Sequence, residues 1–387
     1  MEDKEASMKK WAKAFCEGAI AFGIIFSWTL AEQKSLWRGT ISKEGEITIV
    51  KNPKEPLHKD NIISLKEELA IGGAEAQGNF ALAVVRSLAV DDAENIYVLD
   101  EKDIQIKVFD KNGNFIRMFG QRGQGPGDLN NPSRVVIDKF KNALMVKNGP
   151  LGLSFFGLDG KFLQTITNND TRQTQWAEVD SHRNIFMSMV DVLDMEHRRQ
   201  VLKKSDPKMT SISEIKSVTL SSAYELMAPF AFWTLDCKDS VIFGFPKEYE
   251  IEIIGAHNKT VKKIVKEYIP VEVSPEEKAR YTQRLKEVRL SPDMMSKMFV
   301  SKYYSAYANF LTDDNGWLFV ANWERAGKDY VYDVFDPEGR YMAKFTPPYK
   351  SILFKKGKLY TSEETEEGYQ VIKRYRVNWI IKAESQQ

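Results

Sequence analysis

Cysteine is almost missing: the 387-residue chain has 2, Cys16 and Cys237. Loss of an N-terminal leader carrying Cys16 would leave Cys237 alone, so no intramolecular disulfide can stabilise the remainder, and packing and strand pairing must do so. Histidine is nearly as scarce, with 4 residues. His58, His182, His197 and His257 share no spacing typical of zinc ligands. Excess charge of one sign is also missing: Lys+Arg 55 against Asp+Glu 54 gives a formal net charge of +1. That balance excludes the broad basic field of a nucleic-acid binder. The local basic pairs Arg198-Arg199 and Lys203-Lys204 read as solvated hairpin faces. Nor is there a comfortable membrane span, because the apolar run Gly18–Ala31 is too short for one.

What is present suits a large globular fold. Hydrophobic residues make up 43% and charged residues 28%, ample for a buried core in one large repeat fold or two domains. Lys9, Lys10 and Lys13 precede the apolar run, which ends in Thr29-Leu30-Ala31. This is the layout of a secretory signal with cleavage after Ala31, and Met8 offers an alternative start. Cys16 precedes the run, which argues against a lipid-attachment role. The expectation is an exported protein, periplasmic, cell-surface or extracellular, with residues 1–31 as signal, 32–61 as leader and no stable membrane span afterwards.

The stretch Leu88–Pro132 organises the rest. Leu88-Ala89-Val90-Asp91, Asn95–Asp100, Ile104–Asp110 and Phe115–Phe119 are short runs, most of them rich in β-branched and aromatic residues, with turn residues between them. Together they read as one four-stranded unit. It repeats from Arg134–Asp138, from Trp176–Asp180, from Phe232–Asp236, from Asn309–Asp313 and, more tersely, from Ser351–Phe354. The sixth copy lacks its fourth strand, and Leu65–Gly72 at the other end of the chain supplies a match for it. The spacing therefore predicts an all-β, six-bladed β-propeller over residues 62–380, closed by a strand at about 62–72. Closure of so long a loop costs about 5 kcal/mol of chain entropy before the constant term. It also removes an exposed sheet edge. Trp37–Ile41 and Glu46–Val50, split by Lys43-Glu44-Gly45, predict an extra hairpin in the leader. Ser274-Pro275-Glu276-Glu277 combines an N-cap, a first-turn proline and a capping-box glutamate, so a helical insertion is expected over 274–303, lying over one mouth of the ring.

These repeats resemble NHL-type six-bladed β-propellers, and more closely the exported bacterial proteins described only as six-bladed β-propeller proteins. The likeness rests on Asn95–Asp100, Ile106–Gly113 and Gly123–Asp128, with the Trp37–Pro53 leader and the Ser274 helix in support. It implies the fold and export far more than an activity. NHL-type lyases and propeller lactonases hold a metal in the central channel, but their ligands have no residue-by-residue match here. The resemblance therefore implies no metal or other cofactor for this chain.

Other candidate chemistry resolves into turns. Gly120–Gly127 lacks the Gly-Lys-Ser/Thr ending of a phosphate loop and reads as a connector between blades. Asp313-Asp314-Asn315-Gly316 resembles part of a calcium loop but lacks the later glutamate. No Ser/His/Asp or Cys/His arrangement follows from spacing, so no catalytic residue is assigned. What remains is the channel mouth. Alignment of the blades on their acidic turns places Arg86, Arg134, Trp176, Trp233 and Asn309 there, and the loops after the second strands add Asp100, Lys147, Trp323 and Glu324. Aromatic and charged side chains on such a rim suit recognition of a protein, peptide or carbohydrate. The expectation is a monomeric, non-catalytic binding scaffold, with a metal-dependent hydrolase or lyase using the channel as the alternative.

Overall fold

Short hairpins dictate this architecture. In a computed structural model, which describes residues 37–138, 142–287, 291–327, 329–348 and 351–380, six acidic turns use one device. Asp91, Asp110, Asp180, Asp236, Asp313 and Asp336 each accept a side-chain hydrogen bond from the amide four residues on. Each carbonyl also accepts from the amide three residues on. The residue at that third position has positive φ, supplied by Glu94, Gly113, Arg183, Asp239, Gly316 and Gly339 respectively. An aspartate that locks a tight turn and a following left-handed residue together define a hairpin with a bulge. This is why the motif recurs at the foot of so many strand pairs. The predicted signal segment, 1–31, lies outside the described residues.

Six blades result. The first runs Val85–Val90, Ile96–Asp100, Gln105–Phe109 and Phe115–Phe119, each strand antiparallel to the next. The innermost strands of the others are Pro132–Asp138, Trp176–Val179, Phe232–Leu235, Asn309–Thr312 and Ser351–Lys355. The sixth blade is completed from the other end of the chain. Ile63–Gly72 pairs antiparallel with Gln370–Trp379, from Ile63 opposite Trp379 to Gly72 opposite Val371. The fold is therefore the expected six-bladed β-propeller with an N-terminal closing strand.

Six buried clusters hold neighbouring blades together, one at each seam. The closing seam joins Ile71, Tyr360 and Ile372 of the sixth blade to Leu88, Val90 and Phe109 of the first. Large aromatics recur between blades, such as Phe119 on Phe156 and Phe319 on Phe354. Each seam buries apolar surface on both partners, so closure multiplies a contact already used around the ring.

The leader hairpin docks in a way that its composition does not reveal. Thr40–Glu44 pairs with Ile47–Asn52, and the latter then runs parallel to Thr260–Lys266, the outer strand of blade four. That blade thus grows to six strands, and its free edge moves outward from Thr260–Lys266 to the exposed strand Thr40–Glu44. Asn52 fastens the addition to blade five: its amide group donates to Gly339 O at 2.9 Å, and Tyr341 N donates to its Oδ1 at 2.7 Å.

The helical insertion comprises Pro275–Glu287 and Pro292–Lys297. It follows blade four on the face where connectors enter the innermost strands. Its end, Phe299–Val300, pairs parallel with Glu225–Leu226 of the preceding connector, so the insertion spans the entry side of blade four.

Asn52 is 3% exposed, and Asn52→Ala would leave a buried carbonyl and amide of blade five without partners. The expected loss is about 1–3 kcal/mol in denaturant unfolding, with no change in strand content by circular dichroism.

Candidate functional site

The innermost strands of all six blades surround an axial cavity of about 310 Å³. On the entry side it carries one polar cluster. Glu178, the third residue of its strand, accepts from Trp176 Nε1 at 2.9 Å, Thr234 Oγ1 at 3.1 Å, Leu235 N at 2.9 Å and Arg134 Nη2 at 3.4 Å. Arg134 lies over the Trp176 ring. Three blades are thereby tied together at the channel wall. Burial pulls the arginine below its ordinary pKa and Glu178 opposes that pull; the guanidinium remains a cation at neutral pH. Its Nε is buried without a hydrogen-bond partner, and its one bond to Glu178 is long. Arg134 therefore has donors to spare, facing a cavity.

Of the residues expected at the mouth, Arg134 and Trp176 converge here. The others do not join them. Trp233 is 4% exposed and packs in the seam between blades three and four, 6.3 Å from Phe186. Counting back from the acidic turns explains the miss. Trp233 stands in register with buried Ala177, and its neighbour Thr234 stands in register with Glu178. A one-residue step along a strand turns a side chain to the opposite face. Arg86 falls where the register shifts between Val85 and Ser87, and this bulge turns it outward, exposed, 3.9 Å from Glu101. Asn309 is exposed at the head of its strand.

Asp100 and Lys147 are structural. Asp100 is fully buried; it accepts from Ala83 N at 2.9 Å, Val84 N at 3.1 Å and Lys107 Nζ at 3.1 Å. Burial alone would raise its pKa, but these bonds outweigh that and hold the carboxyl below its usual range. Lys147 donates to the carbonyls of Gly149 and Arg172, and burial lowers its pKa. Both residues grip connectors. Trp323 and Glu324 lie apart from the axis, in a smaller cavity between blades four and five.

Glu178 and Thr234 were missed because a threonine and a glutamate in short strands carry no distinctive pattern. The available signal was positional: each stands two residues before the aspartate of its acidic turn, as Val136 does before Asp138 in blade two. Cys237 is exposed and lines the far end of the cavity. Burial raises its thiol pKa, which disfavours the reactive thiolate. His182 and His197 sit in hairpins beside Asp239 and Asp194. Among the described residues, no group of three or more His, Cys, Asp or Glu is placed to hold a metal ion. Asp128 closes its Gly-rich connector by accepting from Gln121 and Gly125, as expected of a turn. Arg199 is a solvated hairpin residue as expected, whereas Lys203 bonds Asp170 at 2.6 Å.

Comparison with known proteins agrees with this architecture. A family model described as 6-bladed beta-propeller matches residues 75–347. Among solved structures, a Bacteroides fragilis NCTC 9343 protein named for its expected export is similar at 12% identity. The match covers 85% of this chain and 99% of that one, with a TM-score of 0.56. A member of the DUF4221 family from Bacteroides vulgatus ATCC 8482 is similar at 12% identity, covering 83% of this chain and 99% of that one, with a TM-score of 0.55. At such identity the likeness is one of fold. No curated protein matches the chain in sequence.

Two predictions follow from these assignments. Glu178→Ala would orphan the Leu235 amide and the Arg134 guanidinium, at a cost of about 1–3 kcal/mol in chemical denaturation, whereas Glu178→Gln, which keeps an acceptor, should lose less. Asp100 contributes stability that is present above its unfolded pKa near 3.8 and lost as pH falls through the lower folded value. Asp100→Asn should therefore unfold more easily at neutral pH and show a flatter acid limb below about pH 4 when melting temperature is followed against pH.

Proposed function

The chain belongs to the 6-bladed beta-propeller family, and from that and the geometry of its channel we infer that it is an exported binding module. It acts by holding a ligand or protein partner and has no catalytic role. The observation that carries this reading is the Arg134–Trp176–Glu178–Thr234 cluster on the channel wall. It is preorganised, since Glu178 is fixed by donors from three blades, and it leaves guanidinium donors unspent. A ligand entering from that side would offer acceptor oxygens, as peptide carbonyls, carboxylates and sugar hydroxyls do, to Arg134 and a flat surface to Trp176. Rigid side chains on a closed sheet ring lose little entropy on binding, which favours recognition.

Export rests on the signal layout of residues 1–31, and the name of the Bacteroides fragilis neighbour supports the same destination. The NHL-like character of the repeats, and a monomeric state, belong to the same proposal.

Probing arrays of short peptides and glycans with the tagged chain should give ligands that Arg134→Ala weakens about tenfold or more, equivalent to about 1.4 kcal/mol, with the melting profile retained. Ligands held equally well by the variant would move the site away from the channel. Chemical conversion of a bound molecule would replace the binding assignment with an enzymatic one.

A further inference from the structure

A second cavity, of about 160 Å³, opens on the entry face at the seam between blades four and five. Its floor is a buried ion pair. Asp333 is fully buried and accepts from Tyr249 Oη at 2.6 Å, Tyr341 Oη at 2.7 Å and Asn322 Nδ2 at 3.1 Å. Its lone pairs are largely spent. Lys266, 8% exposed, is less well served: Nζ is 3.4 Å from Asp333 and 3.5 Å from Glu267 O. It otherwise faces the rings of Tyr249 and Tyr341, each at 4.8 Å. A buried ammonium with long contacts has hydrogen-bonding capacity left over. The two tyrosine oxygens donate to Asp333, and each keeps an acceptor position.

One wall is aromatic. Trp323 lines the cavity and is stacked from behind by Tyr304 at 4.2 Å between ring centres. Its indole N–H is buried without a partner. Tyr304 in turn bonds Glu277 of the long inserted helix, so the insertion braces that wall. Ile269 and Val271 add apolar surface, while the rim carries Lys54 and Lys344 against Glu55 and Glu324.

We propose that this seam is a ligand site separate from the channel, and that it takes a single neutral sugar ring. The choice follows from the chemistry present. Cationic and carboxylate side chains balance around the cavity, so no net field selects an ion. Spare donors on Lys266 and the indole lie beside the acceptor position on Tyr249, which lines the cavity, and this suits hydroxyls that both donate and accept. A flat indole face offers the carbohydrate C–H surface a partner that excludes water. The volume suits one ring and not a chain. Affinity for an isolated ring of about a dozen non-hydrogen atoms is expected near the millimolar range.

The test uses methyl glycosides of the common hexoses, up to about 50 mM, observed by saturation-transfer NMR on the intact exported chain. The expected result is transfer to at least one glycoside, lost in Trp323→Ala and retained in Trp323→Phe, which keeps a flat wall. Lys266→Met, paired with Asp333→Asn to avoid an orphaned buried carboxylate, should weaken the same signal about tenfold or more. No transfer to any glycoside would overturn the proposal. So would transfer that survives Trp323→Ala, or binding of amino acids or organic acids in place of sugars. None of these outcomes bears on Arg134, so this site and the channel stand or fall separately.

Discussion

The pairing of Ile63–Gly72 with Gln370–Trp379 is the constraint on which the molecule depends. Each blade buries its faces against two neighbours, so an open ring would leave one blade half covered at each end. Closure converts the apolar residues about Ile71 and Ile372 from exposed edge into seam. It also fixes the diameter of the ring, and with it the distance across which Arg134, Glu178 and Thr234 can meet. The channel cluster is assembled from the neighbouring blades two, three and four, whose seams set its geometry. The cluster is therefore a property of three adjoining blades and not of any single repeat.

Within that ring, the hairpin turns act as local clamps. Aspartates at the turn mouths satisfy amides that a bulged hairpin would otherwise leave open. The same solution serves at positions where Gly is absent: Glu94, Arg183 and Asp239 all hold positive φ. Strain at these residues is compensated by the aspartate bonds. Asp100 and Asn148, each the last residue of a second strand, use side-chain oxygens to hold the connector leading into their blade. The repeats thus share a grammar of carboxylate and amide anchors more than an apolar sequence.

That grammar explains what was legible. Acidic turns and short apolar runs recur at spacings that give the blade count, and the shortfall in the last repeat points to a strand from the other end. The site was far less readable. A channel-facing residue is distinguished from a seam-facing one by a single step along the strand, as Trp233 and Thr234 show. Bulges such as the one at Arg86 break the counting altogether. Long polar residues such as Asp100 and Lys147 look solvent-facing in sequence, yet they serve as internal anchors because buried backbone groups in the connectors require partners. The docking of the leader hairpin is invisible for a related reason: parallel pairing along Thr260–Lys266 depends on which sheet edge is near, and no local residue encodes that.

Three additions gather at the seam between blades four and five. Blade four carries two extra strands, the helical insertion follows it, and Asn52 ties the leader to blade five across the same seam. Like the other seams, this one has an apolar cluster, with Ile251, Ile264, Val320 and Phe335 among its members. It also holds the polar group of Tyr249, Tyr341, Lys266 and Asp333, and burial together with the neighbouring carboxylate keeps both tyrosines protonated, with pKa values well above the ordinary phenol range. A buried, fully engaged carboxylate costs more to desolvate than a packed aliphatic group of the same size. Its presence beside the added strands and the inserted helix is more readily explained by a demand for polar recognition at that seam than by stability. The extra elements contribute to that seam: the leader supplies Lys54 and Glu55 of the rim, and the inserted helix braces Trp323 of blade five through Tyr304.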